Sequence, residues 1–115
     1  MQYALMIHAD ESGVANLSKA DMGQMMAAYD DYTAAMGKAG VLRGGERLKP
    51  VATATTVSMK NGKSIVQNGP YAEVKEQLGG FYLIDVPDLD AAIAWASRCP
   101  GAQHGKIEVR PIWQR

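Results

Sequence analysis

The sequence predicts an α+β domain of ferredoxin-like βαββαβ type with an additional hairpin strand, and three observations carry that expectation. Residues 3–8 (YALMIH) and 80–86 (GFYLIDV) are apolar on both faces and too short for stable helices, which is the pattern of central strands. Two amphipathic stretches follow them, at about 18–40 and 88–98, each with a capping residue at its start. Between them Asn61-Gly62 joins two short runs rich in Thr, Val and Ile, the strongest short hairpin signal, because a type I′ turn needs positive φ at both central residues.

Taken in order, YALMIH is the first strand and ADESGVAN (9–16) a polar loop. Ser18 opens a helix, with Asp21 three residues on as a weak capping box. Met22, Met25, Met26, Tyr29, Tyr32, Thr33 and Met36 recur at helical spacing and define its buried stripe. Gly40 supplies the left-handed residue that ends it. LRGGERLKP (42–50) reads as a turn-rich connection, and residues 53–60 and 63–67 as the hairpin. AEVKEQL (72–78), between Gly69-Pro70 and Gly79-Gly80, is long enough for one or two helical turns. Asp88 caps the second helix, with Leu89, Ala92, Ile93 and Ala96 as its buried positions and Pro100 as its stop. In the last strand, residues 106–113, Ile107, Val109 and Pro111 lie on one face, and Lys106, Glu108 and Arg110 on the other. The two most apolar strands belong in the centre of the sheet, and the hairpin and last strand at its edges.

The 115 residues suffice for one core spanning 1–115. Twelve basic and twelve acidic residues cancel, and no basic stripe supplies a phosphate-binding surface, so nucleic acid is not an expected partner. No apolar stretch approaches the roughly 20 residues that cross a bilayer, so no membrane partner is expected. The start of the chain lacks the basic n-region and cleavage site of a secretory leader, and Cys99 is the single cysteine; a cytoplasmic protein is the expectation.

Two helices cover one face of such a sheet and leave the other open. Yet both faces of the central strands are apolar: Tyr3, Leu5 and Ile7 alternate with Ala4, Met6 and His8, and Phe81 and Leu83 with Tyr82, Ile84 and Val86. A homodimer with its sheets packed face to face is the simplest cover.

At this point ATATTV, NGPYAEVKEQLGGFYLIDVPDLDAAIAWA and IEVRPI resemble the YCII-related family, and within it the branch named for an Asp-Gly-Pro-Phe signature. The resemblance runs from the first strand to the last. It implies a dimeric ferredoxin-like fold, an α/β-barrel-like assembly. Here the signature reads Asn68-Gly69-Pro70-Tyr71, with an amide in place of the acid. An enzymatic role for some members is attached to a His-Asp pair; no clear histidine matches it here, and Asn68 replaces the carboxylate that would substitute. The resemblance also implies an association of some branch members with alternative sigma factors.

Candidate chemistry lies at strand ends. His8 closes the first strand beside Asp10 and Glu11, and its ordinary titration range suits a general acid or base. Asn68, Glu73 and Lys75 would line a polar mouth beside the central strand, or serve as a solvated connection. Arg110 would hold a carboxylate or phosphate, or pair with Glu108 on the sheet surface. Only His8 and His104 exist, their spacing matches no metal motif, and no segment carries a cofactor signature. Two readings stand side by side. One is a dimer that binds a small polar metabolite, with His8 as acid or base and Asp10, Asn68, Glu73, Lys75 and Arg110 as ligand contacts. The other is a non-catalytic sensor or interaction module, linked to transcription through a sigma-factor partner.

Overall fold

The computed structural model describes residues 1–114. β1 (Gln2–Ala9) is followed by α1 (Glu11–Ala15), α2 (Lys19–Lys38) and β2 (Leu42–Arg47). β3 (Thr55–Lys60) and β4 (Lys63–Asn68) come next, then β5 (Gln77–Asp85), α3 (Leu89–Arg98) and β6 (Lys106–Pro111). The main sheet has the order β2-β5-β1-β6 with every neighbouring pair antiparallel. β1 and β2 are therefore parallel to each other with β5 between them and α2 as the crossover. β5 and β6 are likewise parallel around β1, with α3 as the crossover. This is the split βαβ arrangement the sequence predicts, with its two most apolar strands in the centre.

Local signals set the element ends. The Ser18 hydroxyl accepts from the Asp21 amide at 3.0 Å, and the Asp88 carboxylate accepts from the Ala91 amide at 2.9 Å. Gly40 follows α2 with φ 75°, and Asn61 and Gly62 take φ 51° and 77° in the hairpin turn. Removing the second cap, Asp88→Ala, is expected to cost about 1 kcal/mol, read as a lower thermal midpoint by circular dichroism.

The core lies between the helices and one face of the sheet. Tyr3 and Leu5 of β1, Ile84 of β5 and Val86 pack with Tyr32 and Met36 of α2, and with Ala92, Ala96 and Cys99 at α3. The rings of Tyr32 and Tyr82 meet edge-on, their centroids 5.5 Å apart. Among the described residues no helix is long and apolar enough to cross a membrane.

Six expectations need correction. Residues 42–50 are not only a turn: Leu42–Arg47 forms β2, the edge strand, while the hairpin stands apart as a two-stranded ribbon. Gly44 and Gly45 hid this strand, because it is held by pairing with β5 and not by an apolar face of its own. A Cβ on Gly45 would come within 2.7 Å of the Phe81 carbonyl oxygen, so the close approach requires glycine. The polar loop 9–16 contains α1, capped by Asp10. Helical turns over 72–78 are absent, and β5 already begins at Gln77. The Gln77 amide instead accepts from the Glu11 N–H and donates to the Val74 carbonyl, tying the segment to α1 and the sheet. Leu89 and Ile93 are about half exposed, because α3 turns its small residues Ala92 and Ala96 inward for close approach to the sheet. Met26 on α2 is exposed as well, at the rim of the predicted stripe.

Candidate functional site

The candidate site lies where β1 ends and β5 and β6 begin. Pairing of β1 with β5 shifts between Ile7 and His8, so Gly79 stands as an extra residue opposite them. Such a bulge re-aims side chains at a strand end. On the other side His8 pairs in register with Lys106, and Met6 with Glu108. Alternation then puts His8, Lys106, Glu108 and Arg110 on the sheet face away from the helices.

Three of them, His8, Lys106 and Glu108, line a shallow cleft of about 410 Å³ together with Glu76 and Ile107, and Arg110 stands outside it beside Glu108. His8 Nε2 lies 3.3 Å from Glu108 Oε1, and the other carboxylate oxygen of Glu108 lies 3.5 Å from the Arg110 guanidinium. Lys106 Nζ donates to Glu76 Oε1 at 2.5 Å. A carboxylate beside Nε2 favours the tautomer with its proton there, leaving Nδ1 as the basic nitrogen. The cleft thus holds a proton-transfer group oriented by a carboxylate, with a cation on either side of it along β6.

The other predicted contacts are elsewhere. Asp10 caps α1: its carboxylate accepts from the Ser12 hydroxyl at 2.6 Å and the Ser12 amide at 2.9 Å. These bonds, the hydroxyl's first, and the nearby Lys75 charge hold its carboxyl below the usual range. Asn68 ends β4 opposite Thr55, exposed on the ribbon. Glu73 and Lys75 are exposed on the irregular segment that leads into β5, and neither lines the cleft. Arg110 joins His8 only through Glu108. Sequence reasoning missed Glu76 and Lys106 as cleft residues. Alternation along β6 already grouped Lys106 with Glu108 and Arg110, whereas nothing local marks Glu76 as the partner of a residue thirty positions away. Among the described residues no group of three or more His, Cys, Asp or Glu is placed to hold a metal ion.

The YCII-related domain model matches residues 1–115. The chain belongs to the YCII-related family. Uncharacterized protein R00369 of Rhizobium meliloti (strain 1021) is 39% identical over 114 residues, covering 97% of this chain and 92% of the relative. Among solved structures the fold is similar to 5-chloro-2-hydroxyhydroquinone dehydrochlorinase (TftG) of Burkholderia phenoliruptrix AC1100, determined in complex with 2,5-dihydroxybenzoquinone. That match has a TM-score of 0.57 at 12% identity, and covers 99% of this chain and 94% of the other. At that identity it is a likeness of fold.

Proposed function

We propose that this YCII-related protein is a cytoplasmic homodimer that binds a small polar, anionic metabolite in the His8 cleft and carries out acid–base chemistry on it. The observation that carries this reading is the His8–Glu108 contact at 3.3 Å in a cleft flanked by Lys106 and Arg110. Glu108 orients the imidazole, Nδ1 takes or returns the proton, and Lys106 and Arg110, each paired with a carboxylate, turn part of that pairing to the incoming anion. The dehydrochlorinase of similar fold was solved with a small oxygen-rich ring compound bound, which supports a small-molecule role. A dimer is supported by the second sheet face, where Ala4, Met6, Phe81 and Leu83 form an apolar strip that neither α2 nor α3 covers.

The test is a thermal-shift screen of small carboxylates, phosphates and phenols on the wild type, His8→Ala and Arg110→Ala. A ligand at about a hundred times its dissociation constant stabilises by about 2.7 kcal/mol, which raises the midpoint by roughly 10 °C or more. A true ligand is expected to lose most of its shift with Arg110→Ala. With His8→Ala it should keep part of the shift, while turnover falls by about 10²–10⁴-fold. A hit that keeps its full shift in both variants would remove the site from this cleft. No hit at all, with the dimer intact, would favour the non-catalytic sensor or interaction module and direct the search to a sigma-factor partner.

A further inference from the structure

The β3–β4 ribbon has no place in the main sheet. Its register sets Thr55, Val57 and Met59 opposite Asn68, Val66 and Ser64. Residues directly opposite share a face, so Val57, Met59 and Val66 form one apolar surface, exposed at 60%, 64% and 62%. The other face holds Thr56, Ser58, Lys60, Lys63 and Gln67, with Ile65 its one apolar member. The ribbon is therefore amphipathic, and its apolar side faces water. A lone two-stranded hairpin is marginal in water, so this surface calls for a partner.

The dimensions point to the same deficit. The radius of gyration is 16.1 Å, against about 13 Å for a compact chain of this length. The molecule spans 48 × 44 × 19 Å, a thin slab and not a ball. Six-residue strands reach about 20 Å, close to the roughly 19 Å breadth of a four-stranded sheet.

We propose that the ribbon is an arm whose apolar face packs on a second copy of this chain, extending the face-to-face sheet contact beyond the edge of the sheet. This rests on the dimer proposed above and adds what that dimer needs. The open sheet face, four strands wide and eight residues long, has a footprint of at most about 500 Å² per copy, and its β6 edge carries the charged His8 cleft, so less than that is free for a partner. A stable interface takes about 800 Å² per partner. An arm given and an arm received supply about 400 Å² more to each copy. A second copy covers both unpartnered apolar surfaces at once, and a two-fold pairing closes after two chains. Lys60 and Lys63, paired at the arm's tip, oppose open-ended strand addition.

Sedimentation equilibrium on the wild type, on Val57→Asp/Val66→Asp and on Ser58→Asp/Gln67→Asp tests the arm. The apolar-face pair is expected to raise the dimer dissociation constant at least a hundredfold, and the polar-face pair less than threefold. A wild-type dimer whose constant is unchanged by Val57→Asp/Val66→Asp overturns the arm and leaves the sheet-to-sheet dimer standing. A wild type that is still monomeric at roughly 100 µM, far above the dissociation constant of a micromolar dimer, overturns both. Should the apolar-face pair fail to fold, Met59→Cys decides, because the native Cys99 is buried and gives little background. Its maleimide labelling is expected to run at least tenfold slower in the dimer than at dilutions where the dimer dissociates. Equal rates at both concentrations overturn the arm.

Discussion

Gly105→Ala is expected to destabilise the fold by about 3 kcal/mol or more and to remove the His8 site with it. A Cβ at this position would overlap the His8 carbonyl oxygen and approach the Ala9 Cα within 3.1 Å. Both obstacles are backbone, so no side-chain rotation relieves them, and the end of β1 must part from the start of β6. The Gly105 amide also donates to the Gly101 carbonyl at 2.9 Å, which fixes the turn and leaves the clash nowhere to go. Thermal unfolding should show a fall of more than about 10 °C for a chain of this size. The contact between His8 and Glu108 crosses this same pair of strands, so ligand shifts should disappear even below the new midpoint. Gly37→Ala is the control: nothing lies within 4 Å of a Cβ there, and the exposed helix should gain about 0.5–1 kcal/mol. A Gly105→Ala protein as stable as the wild type would mean that β1 and β6 do not approach as described.

The second large effect is alkaline. Four proton-bearing groups crowd the space between α2, α3 and the sheet. Burial pushes the Tyr29 and Tyr32 phenols well above their usual range, with the nearby Cys99 adding to it. Burial raises Tyr82 also, although its 2.8 Å hydrogen bond with Thr33 works the other way, and it raises the Cys99 thiol. In the unfolded chain these groups release protons near 10.0 for the phenols and 9.0 for the thiol. The folded chain holds them longer, so it binds more protons than the unfolded one above about pH 9. Stability is then full below pH 9 and falls as pH rises through 10 and 11, by at most ~1.4 kcal/mol per pH unit for each proton retained. Urea midpoints from pH 7 to 11 measure it. Cys99→Ala should delay the onset, since the thiol is the first of the four to ionise in the unfolded chain. A midpoint flat to pH 11 would contradict the buried, protonated cluster.

How much of this could be read beforehand follows from the range of each interaction. Ser18, Gly40, Asn61-Gly62 and Asp88 act on neighbours two to four residues away, and each does in the structure what its residue type predicts. The two-faced apolar runs of β1 and β5 name the central strands, because only a strand covered on both sides tolerates that pattern. β2 was hidden since its place depends on β5, thirty or more residues distant, and its glycines are chosen for what they lie against. The inward turn of α3 depended on how closely a helix approaches a sheet, which its own periodicity leaves open between two adjoining stripes. The site divides the same way. His8 was legible as a titratable residue at a strand end, and Glu108 with Arg110 as neighbours on one face. Their union was not, because it needs β1 and β6 side by side with His8 facing Lys106, a register fixed by pairing across about a hundred residues. Thus the sequence by itself determined the element order, the caps and the central strands, which rest on local and periodic forces. The tertiary structure alone decided the edge strand, the free-standing ribbon and the His8–Glu108 pair, because long-range strand pairing leaves no local trace.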